Sequence, residues 1–373
     1  MPGWMTTSSA RCGPVLELAV ANLDFEYELA GRGALPDGLA QRWQFILRLL
    51  AREAECLDPT TLTVRTESAT RLWAWGVTPR IARLAASLGL SQDFPSLEVV
   101  REVNDKRFSH QLEQKLGIAL PHSQVVDSLE QFRSAVEACP FSWVLKHPLG
   151  VSARERVVGK PGHISDSAWG WARRKLHQSW TLLFEPWVEQ RHDFSLHFEI
   201  DRHGQHRFVG HCELVSDPGG VYRGNRVLPS SILEPAALEC GHKVAAELSL
   251  RGYWGPVGID AFSGVLGDKR YLRPLVEINA RCSFGRLALA LSDWIPQGWC
   301  HLWWHPQVNE ASLTPLPARD LIQPGAYALP LAVDPTQGSR TILMVAPTAQ
   351  ELQGLGRDQA GAPAASIMRS GGQ

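Results

Sequence analysis

Residues 256–281, PVGIDAFSGVLGDKRYLRPLVEINAR, decide how the whole chain is read. Their apolar runs, punctuated by glycine and aspartate, predict a strand at 256–262, a turn at Gly264–Asp268 and a second strand at 271–279. Strand side chains alternate between faces, so Glu277 and Asn279 project together, and the hairpin partner can bring Asp260 beside them. Two carboxylates and an amide oxygen are hard donors, of the kind Mg²⁺ takes alongside phosphate oxygens and water. Arg281 projects on the same face if the strand continues, where its guanidinium can grip an anion through two parallel hydrogen bonds. The competing reading is a polar hairpin edge with solvated charges. Two acids, an asparagine and an arginine at the ends of otherwise apolar strands favour a site.

Composition limits what that site can serve. The chain has 373 residues, with 37 Lys and Arg against 38 Asp and Glu, a formal charge of −1. That balance excludes a nucleic-acid glove and a polybasic membrane binder, which need an excess of cations. A hydrophobic fraction of 44% with 20% charged residues is that of a globular protein, and the length fits two or three domains. Seven scattered cysteines without a Cys-x-x-Cys pair argue against a disulfide framework or cysteine zinc site and for a reducing compartment. The apolar run Pro14–Leu23 contains Glu17 and lacks a signal peptide's basic start and cleavage site. No stretch approaches the ~20 apolar residues of a membrane span. A cytoplasmic protein without membrane association is expected.

Along the chain, 14–22 reads as a strand and 38–56 as an amphipathic helix carrying Leu39, Trp43, Ile46, Leu49 and Leu50 on one face. A strand at 61–66 and a helix at 69–88 complete an amino-terminal α/β domain over 1–100. A polar helix at 96–116 ending at Gly117, strand 122–126, helix 128–138, strands 142–146 and 155–159 and helix 164–178 form a central lobe, 101–180. From 181 the texture is β-rich: TLLFEPWV (181–188), DFSLHFEID (193–201) and FVGHCELV (208–215) read as strands, the last two joined around His203-Gly204. With helix 234–250 and the 256–279 hairpin they form a carboxy lobe, 181–310. The remainder, 311–373, is an extension with a frayed tail from about Asp358. No internal repeat is present.

Several signals fail when checked. Gly31-Arg32-Gly33 lacks the third glycine of a dinucleotide fingerprint, and Gly159-Lys160-Pro161 has proline where a P-loop needs Ser or Thr. His301 and His305 have helical i, i+4 spacing but no acidic companion or third ligand, and read as packed or surface histidines. His197, His203, His206 and His211 crowd one hairpin, best read as solvated.

From about 101 to 290 the order of elements resembles the ATP-grasp superfamily of ATP-dependent ligases. Val103-Asn104-Asp105-Lys106 and the following GIALP resemble the entry segment, which implies that Lys106 reaches the nucleotide phosphates. WVLKHP resembles the strand whose lysine, here Lys146, contacts the adenine or α-phosphate side. Gly150–Arg154, with Ser152, resembles the lid over the phosphates but is poorer in glycine than is usual. FEPWV resembles the hinge, which implies adenine contacts from Glu185 and from the backbone of Trp187 and Val188. Asp193 sits where the ribose is faced. Asp260, Glu277 and Asn279 match the magnesium ligands, and Arg281 an arginine found in part of the superfamily. Some members carry an arginine just before the aspartate, but here the residue two before it is Gly258; Arg223 and Arg226, in the GGVYRGNR stretch, which reads as a loop, are the candidates to replace it.

The resemblance implies an α/β (α+β) ATP-grasp fold behind an amino-terminal α/β domain. It also implies ATP with Mg²⁺ as cofactors, two ions, with Mn²⁺ as an alternative metal. The implied reaction converts a substrate carboxylate to an acyl phosphate, which an amine displaces, with ADP and phosphate released. Arg281, Arg223 and Arg226 would steady the transferred phosphoryl group. Partners are then small-molecule carboxylates and amines, not nucleic acid or membrane, and a homodimer is left open. Rival readings are a kinase or ATPase on the same fold and a nucleotide-binding protein without chemistry. Independently of the family, a carboxylate attacking a triphosphate meets like-charge repulsion that a cation and a few ammonium groups must offset. Only 7 of the 37 basic residues are lysine, and two fall at the matched positions.

Overall fold

A computed structural model of the protein describes residues 16–31, 55–57, 69–90, 94–150, 155–216, 222–305, 327–333 and 340–360. The helix expected at 38–56 lies outside these residues except for its last two, which are strand. The strand expected at 61–66 and most of the tail also lie outside.

The first unit contains β1 (Leu16–Val20), α1 (Phe25–Leu29), β2 (Glu55–Leu57), β3 (Ala69–Ala74) and α2 (Pro79–Ser87). Its three strands are parallel, in the order β2-β1-β3. Residues 69–74 are therefore strand, not the start of a helix. They pair along β1, and the helix starts only where Thr78 accepts a hydrogen bond from Ile81 N and Pro79 supplies a preset φ.

The expected helix 96–116 is broken in two, α3 (Leu97–Val103) and α4 (Lys106–Leu116). Asp105 breaks it by turning its carboxylate back to accept from Arg107 N at 2.8 Å, a cap that competes with continued helix. Gly117 ends α4 in the left-handed region, φ 69°. Next come β4 (Gln124–Val126), α5 (Leu129–Ala138), β5 (Trp143–Lys146), β6 (Arg156–Gly159), α6 (Asp166–His177) and β7 (Leu182–Pro186). Their strands form an antiparallel sheet, β4-β7-β5-β6, over a core of Phe132, Trp143, Trp169 and Phe184.

β8 (Glu189–Ile200), β9 (His206–Ser216), β10 (Tyr222–Val227), α7 (Pro235–Leu250), β11 (Gly255–Leu266), β12 (Lys269–Asn279), α8 (Phe284–Leu291), β13 (Cys300–Trp304), β14 (Tyr327–Val333), β15 (Arg340–Ala346) and α9 (Ala349–Ala360) complete the described chain. One antiparallel sheet joins all eight strands in the order β12-β11-β8-β9-β10-β13-β15-β14. Strands β14 and β15, within the expected extension, thus belong to the same sheet as the hairpin, and Asp358–Ala360 are still helical. The hairpin is longer than its sequence pattern, with its turn at Gly267-Asp268. GGVYRGNR is a strand from Tyr222 on, not a loop.

The large sheet has two unlike faces. Leu196 and Phe198 pack towards α7, where Gly241 leaves room for the Phe198 ring. On the other face Ser195, His197 and Cys212 are buried beneath α8. A Cβ on Gly285 would stand 2.4 Å from His197 Nε2, so that helix sits this close only because residue 285 is glycine.

His301 and His305 lie on or beside a strand rather than a helix. His301 Nε2 bonds Ala288 O at 2.7 Å; His305 accepts from Trp303 Nε1 at 2.9 Å and bonds Thr341 Oγ1 at 3.0 Å. Burial pushes both imidazoles down to about 4, with Arg223 adding to the effect on His305. A depressed histidine favours the fold fully above its unfolded value near 6.5, and that contribution is lost as pH falls towards 4. Urea titrations at pH 7 and pH 5 should therefore show a loss of about 2 kcal/mol from each. The loss should shrink in His301→Gln, and an undiminished loss there would remove His301 from the account.

Candidate active site

The β11–β12 pairing sets Asp260 directly opposite Glu277 and Gly258 opposite Asn279. Asn279 Nδ2 donates to Asp260 Oδ2 at 3.1 Å. Burial, and then the neighbouring Glu277 charge, push the Asp260 carboxyl up to about 7.

Strand β12 is an edge of its sheet, and α4 covers that edge. Ser109 Oγ accepts from Ile278 N at 3.3 Å and Asn104 Oδ1 from Ala280 N at 3.0 Å, so two edge N–H groups find partners. Asn104 also donates to Val100 O at 2.7 Å. The helix so anchored aims Lys106 at the carboxylates: its Nζ lies 2.6 Å from Glu277 Oε1 and donates to Gly150 O at 2.9 Å. Asn104→Ala removes both bonds and should cost about 1–3 kcal/mol. A denaturation midpoint unchanged from the parent would show that the edge needs no such brace.

Arg281 follows the end of β12, where its N–H donates to Asn279 O at 2.8 Å. Its Nη2 donates to Asn279 Oδ1 at 2.9 Å and pairs with Glu26 of α1. These groups line a tight cleft of about 20 Å³, with Phe25, Leu29 and Leu149 as its apolar wall. A wider groove of about 420 Å³, beside Asp105, Arg107, Phe108 and Thr181, contains none of the candidate nucleotide, metal or catalytic residues.

A second cluster joins the four-stranded sheet to β12 and α4. Glu185 of β7 is paired with both Lys146 of β5 and Arg273 of β12. Arg273 also grips Glu113 of α4 through two hydrogen bonds, 2.6 and 2.8 Å. Arg273, Glu113 and Glu185 are each no more than 2% exposed. Burial alone would raise Glu185, but the charges and hydrogen bonds of Arg273 and Lys146 outweigh it and hold the carboxyl below its usual range. At Glu113 burial wins over Arg273 and pushes the carboxyl up to about 7.

The two matched lysines thus each meet a matched carboxylate, Lys106 with Glu277 and Lys146 with Glu185. Asp193 lies opposite Phe262 on β8, two residues from Ser195, which opposes Asp260. Its charge is among those that raise the Asp260 carboxyl. Val188 is buried against Leu120, Phe262 and Leu266. The Trp187 N–H donates to Ser142 O at 2.6 Å, which leaves the ring-edge contact expected of it without a donor. Arg226 pairs with Glu213, which neighbours Phe194 on β8 and so faces away from Asp260. Strand alternation, invisible when these residues read as loop, turns it from the site. Arg223 lies on the other parity and acts electrostatically on His305. Ser152 lies outside the described residues.

Sequence reasoning missed Glu26, Glu113 and Arg273. Arg273 had left a signal: it interrupts an apolar strand at the parity of Glu277 and Asn279.

Among the described residues no group of three or more His, Cys, Asp or Glu side chains is placed to hold a metal ion. The donor set is instead two carboxylates and an amide. It fits a divalent cation, because strand pairing sets the buried Asp260 carboxyl beside the Glu277 charge, a repulsion that such a cation would relieve.

No protein-family model matches the chain, and no curated protein sequence does. Solved structures do. The biotin carboxylase domain of Hydrogenobacter thermophilus 2-oxoglutarate carboxylase, in complex with MgADP, ADP and bicarbonate, has 11% identity and a TM-score of 0.58 over 93% of this chain and 90% of its own. Biotin carboxylase from Campylobacter jejuni, in a β,γ-ATP complex, has 11% identity and a TM-score of 0.59 over 93% and 91%. N5-carboxyaminoimidazole ribonucleotide synthetase from Thermus thermophilus has 14% identity and a TM-score of 0.57 over 94% and 99%. The chain therefore has the ATP-grasp fold. Its architecture is similar to that of biotin carboxylases and N5-carboxyaminoimidazole ribonucleotide synthetases along nearly its whole length.

Proposed function

We propose that the protein is an ATP-dependent ligase that activates a small-molecule carboxylate as an acyl phosphate and joins it to an amine, releasing ADP and phosphate. The observation that carries this reading is the opposed pair Asp260 and Glu277, with Asn279 and Lys106 beside them, of which Glu277, Asn279 and Lys106 line a small cleft. Complexes of the similar structures with ADP, MgADP and ATP support a nucleotide in the same fold.

Asp260, Glu277 and Asn279 would hold the magnesium, as two ions or with Mn²⁺ in its place. Bound there, the metal supplies Lewis-acid polarisation of the phosphoryl oxygens and neutralises their charge. Lys106 would move from Glu277 to a phosphate, and Lys146 would neutralise the nucleotide from the Glu185 side, both as mobile ammonium groups. Asp193 faces the ribose and Val188 the adenine in this reading, and Ser152 belongs to the lid. Arg281 holds the acyl-phosphate oxygens during transfer; Arg223 is the remaining candidate for a second such contact. No protein nucleophile takes part. We place the enzyme in the cytoplasm.

The test is ADP release from Mg-ATP against arrayed carboxylates and amines, with mass detection of the new amide. Release that needs both substrates supports the ligase. Release indifferent to the amine would make it a kinase or ATPase, and nucleotide binding without any turnover would make it a binding protein.

A further inference from the structure

We infer that the cleft between α1 and the β12 end recognises a zwitterion, an apolar α-amino acid whose ammonium group pairs with Glu26 and whose carboxylate meets Arg281. The inference rests on the ligase reading for what happens next, since that carboxylate is the one to be activated, but the recognition stands on the cleft itself.

Charge is the first argument. The cleft is lined by two opposed pairs, Lys106 with Glu277 and Arg281 with Glu26, so it carries no net charge. A ligand bearing only a carboxylate would take Arg281 and leave Glu26 facing a like charge. A ligand bearing only an amine would take Glu26 and strand the arginine. A molecule with both charges can exchange with both members of the pair, and neither is left uncompensated.

The pair is also built to be opened. Glu26 keeps 28% of its side-chain surface exposed and Arg281 keeps 13%, in contrast to the sealed Arg273 network. Arg281 meets Glu26 through Nη2 alone, and its Nε has no hydrogen-bond partner among the described residues. The Nε–Nη2 edge of a guanidinium is a fork that a carboxylate fills with two parallel bonds. Glu26 comes from α1 and Arg281 from just beyond β12, so the two charges reach the cleft from different elements.

Size and lining set the rest. The closed cleft encloses only about 20 Å³, so a ligand is admitted only as the Glu26–Arg281 pair opens. Phe25, Leu29 and Leu149 offer an apolar wall with no further charge for a side chain to meet.

Titration calorimetry on the full chain, without nucleotide and with Mg²⁺ and a non-hydrolysable ATP analogue, tests this with three probes. They are L-leucine, 4-methylpentanoate, which lacks its amine, and 3-methylbutylamine, which lacks its carboxylate. Leucine should bind at least about tenfold more tightly than either, and ADP release from Mg-ATP should follow the same order. Glu26→Gln should lower the preference for leucine over 4-methylpentanoate about tenfold with the analogue's affinity unchanged, and Glu26→Asp should restore part of it. A merely structural pair would change the melting temperature and leave the preference intact. Equal binding of leucine and 4-methylpentanoate, or of neither, overturns the inference. Leucine binding without any binding of Mg-nucleotide would instead sink the ligase reading and leave the zwitterion pocket standing.

Discussion

Glu277→Gln should cut Mg-ATP-dependent ADP release by about 10²–10³-fold or more, the scale on which one electrostatic contact to the reacting charge acts. The amide keeps the shape of Glu277 but removes the charge that Lys106 now contacts at 2.6 Å and that pushes the Asp260 carboxyl upwards. The fold should tolerate the change, because losing the repulsion with Asp260 offsets losing the Lys106 pair. ADP release and melting temperature measured side by side decide it. Near-normal turnover in the variant would remove Glu277 from the metal site, and unfolding would show that the pair is structural.

Arg273→Met is expected to be the most damaging single change to stability, at about 3–5 kcal/mol. It leaves Glu113 without its two hydrogen bonds and Glu185 with Lys146 as its remaining ion-pair partner, in a site from which water is excluded. The double variant Arg273→Met with Glu113→Leu should recover much of the loss, since replacing both partners of a buried pair by apolar groups is often neutral. Urea unfolding of the parent, single and double variants gives the comparison. A single variant as stable as the parent would show that the pairing contributes nothing net. A rise in KM for ATP larger than the change in kcat should accompany the loss, because Glu185 and Lys146 would no longer be held.

The readings that succeeded in the sequence were those whose physics is local. Alternation along PVGIDAF and YLRPLVEIN gave the hairpin and the shared face of Glu277 and Asn279, and the pairing then set Asp260 opposite Glu277. Helix α5 covers Leu129–Ala138, within a residue of the expected 128–138. Errors arose where a distant partner decides. Residues 69–74 carry no strong strand pattern and are strand because β1 lies alongside. The Asp105 cap that breaks the helix is local, but the role of Asn104 beside it shows only once Ala280 is alongside. Glu26 and Arg281 are 255 positions apart, and Glu113 and Arg273 are 160 apart, so no window along the chain joins them. Arg226 was misplaced for the same reason: only pairing with β9 fixes which way it turns.

The arrangement of the cores has a mechanical consequence. The largest apolar cluster runs without a break from Ala19 and Phe25 through Val100 to Leu196 and Leu275, while Phe132, Trp143 and Phe184 form a separate one, and Trp180 touches both. Apolar cohesion therefore joins the first unit to the large sheet, while the four-stranded sheet packs on a core of its own. Lys146 belongs to the smaller sheet, whereas the Asp260–Glu277 pair, with Lys106 against it, belongs to the large one. The Glu185–Arg273 ion pair is thus a polar tie between two separately packed apolar cores.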